Sequence, residues 1–127
     1  SKPEDFAEMM VFAKSATDKL TAVFGTRYVV GNVIDVLYRA SGSSMDWAKK
    51  ALGLKHSYTF ELRDQGRHGF VLPPDQIQDT GKETVEAVKE MLRLLNEELV
   101  AKKKAAAEEN KKVEEPPGFE KVEDVVD

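Results

Sequence analysis

Large apolar residues recur at three- and four-residue steps along the start of the chain: Phe6, Met9, Met10, Ala13, Ala16, Leu20, Val23 and Phe24. That spacing predicts an amphipathic helix over residues 3–24. Pro3 suits the first helical position, Glu4 and Asp5 suit the positive end of the helix dipole, and Gly25 suits its end. The stripe reads either as a partner groove or as a face packed on a sheet, and packing is the expectation. A second stripe, Val85, Val88, Met91, Leu92, Leu95 and Leu99, follows Thr80-Gly81-Lys82-Glu83, which has the spacing of a capping box. Between the stripes, residues 55–63 predict a strand. Its centre, Ser57 to Leu62, is apolar on both faces apart from Thr59 and Glu61, which suits a central strand covered on both sides.

The connecting segments are less regular. Residues 27–40 mix β-branched and aromatic side chains with Gly31 and Asn32, predicting a short strand or extended segment and then a loop. Ala40 to Ser44 are small residues with little side-chain mass to hold them, as in a loop that moves. Ser44 can cap a short helix over Met45 to Leu52, ended by Gly53. Pro73-Pro74 breaks regular structure. Ala101 to Lys112, rich in Ala, Lys and Glu, reads as a helical extension into solvent. Glu114-Glu115-Pro116-Pro117-Gly118 stops it, and an acidic tail from Phe119 to Asp127 reads as frayed or disordered. A docking peptide built on Phe119, Val122, Val125 and Val126 is the other reading of that tail. Three helices and one clear strand leave a buried strand that needs neighbours on both edges with at most one weak candidate, the physical sign of an incomplete sheet domain.

Composition narrows the chemistry. With 127 residues, 41% hydrophobic and 33% charged, the chain suits one domain with a modest core. A formal charge of −4 and a pI near 5.3 argue against nucleic acid, and no apolar run suits a membrane span. There are no cysteines, and the two histidines, His56 and His68, stand in no His-x-x-x-His or His-x-x-Glu arrangement. Any metal site made by this chain alone would be poor in the usual ligands.

The most informative stretch is Tyr58-Thr59-Phe60-Glu61-Leu62-Arg63-Asp64-Gln65-Gly66-Arg67-His68-Gly69-Phe70. It sets one carboxylate on an apolar segment, followed by a charged, glycine-rich turn. On the residues alone Glu61 is either a catalytic acid tuned by apolar surroundings or a structural acid paired with an arginine. Arg63 and Asp64 brace the segment's end and the turn; contact of Arg63 with substrate is the alternative. Tyr38 alone reads as a surface tyrosine, and Met45 as core.

Together with Tyr38-Arg39-Ala40-Ser41-Gly42-Ser43-Ser44-Met45-Asp46-Trp47, this stretch resembles the C-terminal part of the pancreatic A/B-type zinc metallocarboxypeptidases. Gly66-Arg67-x-Gly69-Phe70-x-Leu72-Pro73 and the helix after Thr80 extend the resemblance over residues 3–98. It implies an α/β fold, a mixed sheet between helices, to which this chain would bring about three helices and one or two core strands. Residues 1–100 would be the last part of the catalytic domain, and 101–127 a charged helical extension and tail. The resemblance further implies a secreted, extracellular zinc exopeptidase acting on peptide C-termini. Glu61 would serve as general base and acid beside a zinc-activated water. Tyr38 would close over the substrate's terminal carboxylate. Val33, Leu37, Ala40, Met45 and Thr59 would surround the specificity pocket, and Phe70 the next subsite. Met45, being apolar and flexible, suits a hydrophobic or aromatic C-terminal residue.

The family's zinc ligands, and the groups that hold the substrate carboxylate and oxyanion, precede the part matched here. His56 and His68 stand where the family usually carries aromatic residues and read as tolerated replacements. The chain alone should therefore be inactive. It would act as part of a whole enzyme, with the enzyme's N-terminal part as one candidate partner. The other reading is a non-enzymatic interaction module. Alone, residues 1–100 should be marginally stable or associate through exposed sheet edges.

Overall fold

The structure, a computed structural model, describes residues 5–38 and 42–114, with side chains as far as Lys111. The first helix, α1 (Phe6–Phe24), ends as its sequence indicates. Gly25 takes a left-handed conformation with φ 78°, and its N–H donates to Thr21 O at 2.7 Å. A side chain there would meet the steric penalty of that region, so glycine is the economical stop. Next comes α2 (Val33–Val36), where an extended segment was expected. The Asn32 side chain accepts the Ile34 N–H, and this local cap lets a single turn form. Helix α3 (Ser44–Leu52) is capped by Ser43, one residue earlier than predicted, because Ser43 is the last extended residue. Its hydroxyl accepts the Asp46 N–H at 3.1 Å, and Gly53 closes the helix with φ 63°.

The last helix, α4 (Pro74–Glu114), has 41 residues and starts six residues before the predicted capping box. Proline is tolerated at a helix start because its missing N–H would have no helical partner there. Pro74 therefore begins regular structure rather than interrupting it. Thr80 becomes an interior residue whose hydroxyl donates to Gln76 O at 2.7 Å, and Glu83 is released for other bonds. The described residues separate after Leu94 into two units.

The expectation of an α/β fold with one or two core strands is overturned. The described residues form helices only, and residues 53–73 carry neither helix nor strand. The reason is partnership. A helix satisfies its backbone groups within itself, whereas a strand needs a second strand to accept and donate. No second strand faces Ser57 to Leu62 among the described residues, so a segment of strand-like composition forms no ladder. The expected exposed sheet edges are absent among the described residues for the same reason.

The core lies where α1 meets the first part of α4. Ala16, Leu20 and Ala87 are fully buried, and Tyr28, Phe60 and Met91 pack against them. Polar groups share this seam. Ser15 Oγ donates to Glu90 Oε1 at 2.7 Å, and Glu83 is fully buried. The predicted apolar stripe of α4 is mostly outside the seam: Val85, Val88 and Leu92 are exposed.

Candidate functional site

Residues 53–73 carry most of the candidate chemistry without backbone regularity, so side chains must hold them. Phe60 is one anchor, packed on the core cluster. Arg63 is the other. Its Nε donates to Glu83 Oε1 at 2.8 Å, and its Nη2 donates to Glu83 Oε2 at 2.6 Å and to Thr26 Oγ1 at 2.9 Å. Thr26 Oγ1 donates in turn to Glu83 Oε2 at 2.7 Å, while Thr21 Oγ1 donates to Thr26 O at 2.7 Å. The guanidinium also lies 5.8 Å from the centre of the Phe24 ring, within cation–π range.

The electrostatics follow from this geometry. Burial pushes the Glu83 carboxyl up, but the Arg63 and Thr26 hydrogen bonds outweigh it and hold the group below its ordinary value. The Glu83 hydrogen bonds raise the Arg63 guanidinium above its ordinary value. Burial raises Tyr28, and the negative charge of Glu83 adds to that. The Tyr28 hydroxyl is buried with no hydrogen-bond partner among the described residues.

Glu61 lies between the two anchors. Its side chain is exposed, and among the described residues no hydrogen bond or ion pair holds it. Arg63, the arginine nearest to it in sequence, is committed to Glu83 instead. Beyond Arg63, whose peptide bond to Asp64 is cis, the turn is organised by Asp64. Its carboxylate accepts the Gly66 N–H at 2.8 Å and lies 2.5 Å from His68 Nδ1. The His68 hydrogen bond holds the Asp64 carboxyl below its ordinary value. Phe70, at the end of this turn, is fully exposed.

Of the predicted pocket residues, Met45 and Thr59 are brought together. Thr59 Oγ1 lies 3.8 Å from Met45 Sδ, and Ser57 Oγ donates to Met45 O at 3.4 Å. The helix that carries Met45 is tied to the start of α1: Lys49 Nζ donates to Asp5 Oδ2 at 2.7 Å and to Lys55 O at 2.9 Å. That Lys49 hydrogen bond lowers the Asp5 carboxyl. Val33 is half-buried, whereas Leu37 and Tyr38 are exposed, Tyr38 at 70%. No hydrogen bond, ion pair or ring contact joins Tyr38, Glu61 or Phe70 to the Met45–Thr59 pair among the described residues. Ala40, and the tail residues offered as a docking peptide, lie outside the described residues.

A groove of about 520 Å³ runs along α4 beside Leu62, Leu72, Ile77, Val85 and Val88, and none of the predicted site residues lines it. The described residues hold no group of three or more His, Cys, Asp or Glu side chains able to bind a metal ion. His56 Nδ1 sits 3.0 Å from the Tyr58 hydroxyl and its ring packs 4.3 Å from that of Phe12. His68 is held by Asp64, so neither histidine joins a ligand set. Sequence reasoning missed Glu83 and Thr26, having assigned Glu83 to a helix cap. The available signal was Arg63, a cation on a largely apolar segment that needs a buried acid.

Comparison with known proteins assigns the chain. The family model described as zinc carboxypeptidase matches residues 1–87, and the chain belongs to that family. It is 51% identical to carboxypeptidase B of Astacus astacus over 87 residues, 68% of this chain and 29% of that protein. It is 50% identical to human carboxypeptidase O over 92 residues, covering 72% and 24%. Bovine carboxypeptidase A1 is 49% identical over 80 residues, covering 63% and 19%. The chain thus spans about a quarter of the length of these curated relatives. Zinc is the family's metal, and the described residues do not fit a zinc site. No helix among them is long and apolar enough to cross a membrane.

Proposed function

We propose that residues 1–100 form the C-terminal part of the catalytic domain of an extracellular zinc-dependent exopeptidase, and that residues 101–127 are an appended charged extension. The whole enzyme would release C-terminal residues from peptides. This chain alone would be inactive, because a zinc ligand set is missing from its described residues. Its contribution is Glu61, whose carboxylate takes a proton from the attacking water and returns it to the leaving amine. Tyr38 would donate its hydroxyl to the substrate's terminal carboxylate. Val33, Leu37, Ala40, Met45 and Thr59 would bound the pocket for the departing residue, with Phe70 at the neighbouring subsite. The contact between Met45 and Thr59 carries the specificity reading. It puts an apolar, flexible thioether beside Thr59 at the position that would meet the departing side chain, which favours a hydrophobic or aromatic terminal residue.

The test is release of C-terminal phenylalanine from a blocked dipeptide, first by this chain with zinc and then by the chain combined with the zinc-binding part of the domain. The expected result is no hydrolysis alone and hydrolysis in combination. In the combined enzyme, Glu61→Gln should lower kcat by about 10²- to 10⁴-fold. A second reading, a non-enzymatic interaction module, draws on the exposed valines of α4 and the missing ligand set. Silence of the combined enzyme, with zinc bound, would favour it.

A further inference from the structure

We propose that Glu83 is a positioning residue for Glu61 and acts through Arg63. The inference rests on the reading of Glu61 as the acid–base group. Glu61 has no side-chain partner among the described residues, so the backbone on either side sets where its carboxylate lies. Among the described residues that backbone is in no ladder, and two anchors flank Glu61. Phe60 packs on the cluster of Ala16, Leu20 and Ala87, and Arg63 is bonded to Glu83 and Thr26. Glu83 and Ala87 are one turn apart on α4, so the acid that holds Arg63 and one member of the cluster that holds Phe60 share a face of that helix.

The Arg63–Glu83 contact suits this task better than packing alone. Two hydrogen bonds between a planar guanidinium and a carboxylate fix orientation as well as distance. The Thr26 hydroxyl joins both partners, and Thr21 ties that residue to the end of α1. Glu61 follows Phe60 directly and lies two residues from Arg63, roughly 7 Å of extended chain. Slack at Arg63 therefore reaches the Glu61 carboxylate with little to absorb it.

In the zinc-loaded whole enzyme, Glu83→Gln keeps the side-chain shape but loses the charge and one acceptor. It should lower kcat for phenylalanine release about 10- to 100-fold while KM stays within about twofold. An unchanged kcat would overturn the proposal. Arg63→Ala separates positioning from folding, and it carries the test if Glu83→Gln does not fold. Added guanidinium can refill the space beside Glu83 and restore Tm, yet it is not tethered to the segment that bears Glu61. The expected result is recovered Tm with kcat still low; recovery of both would reduce the clamp to a structural ion pair. Glu61→Gln is measured alongside. If it stays fully active, the acid–base reading fails. If it is inactive while Glu83→Gln behaves as wild type, only the clamp fails.

Discussion

The two faces of α4 within residues 74–94 invert what their side chains lead one to expect. One face buries Thr80, Glu83, Ala87 and Glu90, the last two against α1; the other leaves Val85, Val88 and Leu92 exposed. A buried glutamate is costly unless its charge is paired and its oxygens are bonded. Here Glu83 has Arg63 and Thr26, and Glu90 has Arg93 and Ser15. An exposed valine forgoes burial energy but leaves no polar group unsatisfied. The comparison teaches that partners, more than hydropathy, selected the packed face of this helix.

Removing a partner from the packed face should have the largest effect. Glu83→Ala leaves Arg63 facing an empty acid site, and a loss of about 3–5 kcal/mol is expected. The expected result by far-UV circular dichroism is loss of the cooperative thermal transition. A sharp melt near the wild-type Tm would break the contrast between the faces. Leu20→Ala, opening a cavity in the same seam, should cost about 2–5 kcal/mol in urea unfolding.

Acid should act on the same face through Glu90. The Arg93 and Ser15 hydrogen bonds hold its carboxyl at about 2, below an ordinary 4.5. A folded-state value lower than the unfolded one stabilises the chain above the unfolded value. That contribution is lost as pH falls from about 4.5 toward 2. In Glu90→Gln the dependence of Tm on pH over this range should flatten; an unaltered slope would show that the bonds to Glu90 carry no weight.

Two smaller changes sharpen the comparison. Gly25→Ala forces a side chain into the left-handed region at the end of α1 and should cost about 1–2 kcal/mol by urea titration. Leu92→Gln, on the exposed face, should change stability by less than about 0.5 kcal/mol. A large loss there would mean that the valine and leucine face is already covered in solution.

Much of this was legible from local signals. The apolar spacing of α1 and the glycines after α1 and α3 act within a few residues, and the structure uses them where the pattern puts them. The stretch from Tyr58 to Phe70 pointed to the family, which the match over residues 1–87 bears out. The capping box at Thr80 was misleading because Pro74, an equally local signal, opened the helix earlier and carried Thr80 and Glu83 into its interior. The strand over residues 55–63 was misread for a different reason: its side chains favour a sheet, but no local feature supplies the second strand.

What the sequence by itself determined is therefore what the chain can satisfy within a turn or two: helices, their glycine stops, and the motifs that mark its family. The joining of Arg63 to Glu83 and Thr26, and the meeting of Met45 with Thr59, were decided only by the tertiary structure. Arg63 is 37 residues from Thr26 and 20 from Glu83 along the chain. Contacts at such separations form only when whole elements pack. Which acid is paired and buried, and which is left exposed beside it, is then settled by hydrogen-bond partners that no local pattern records.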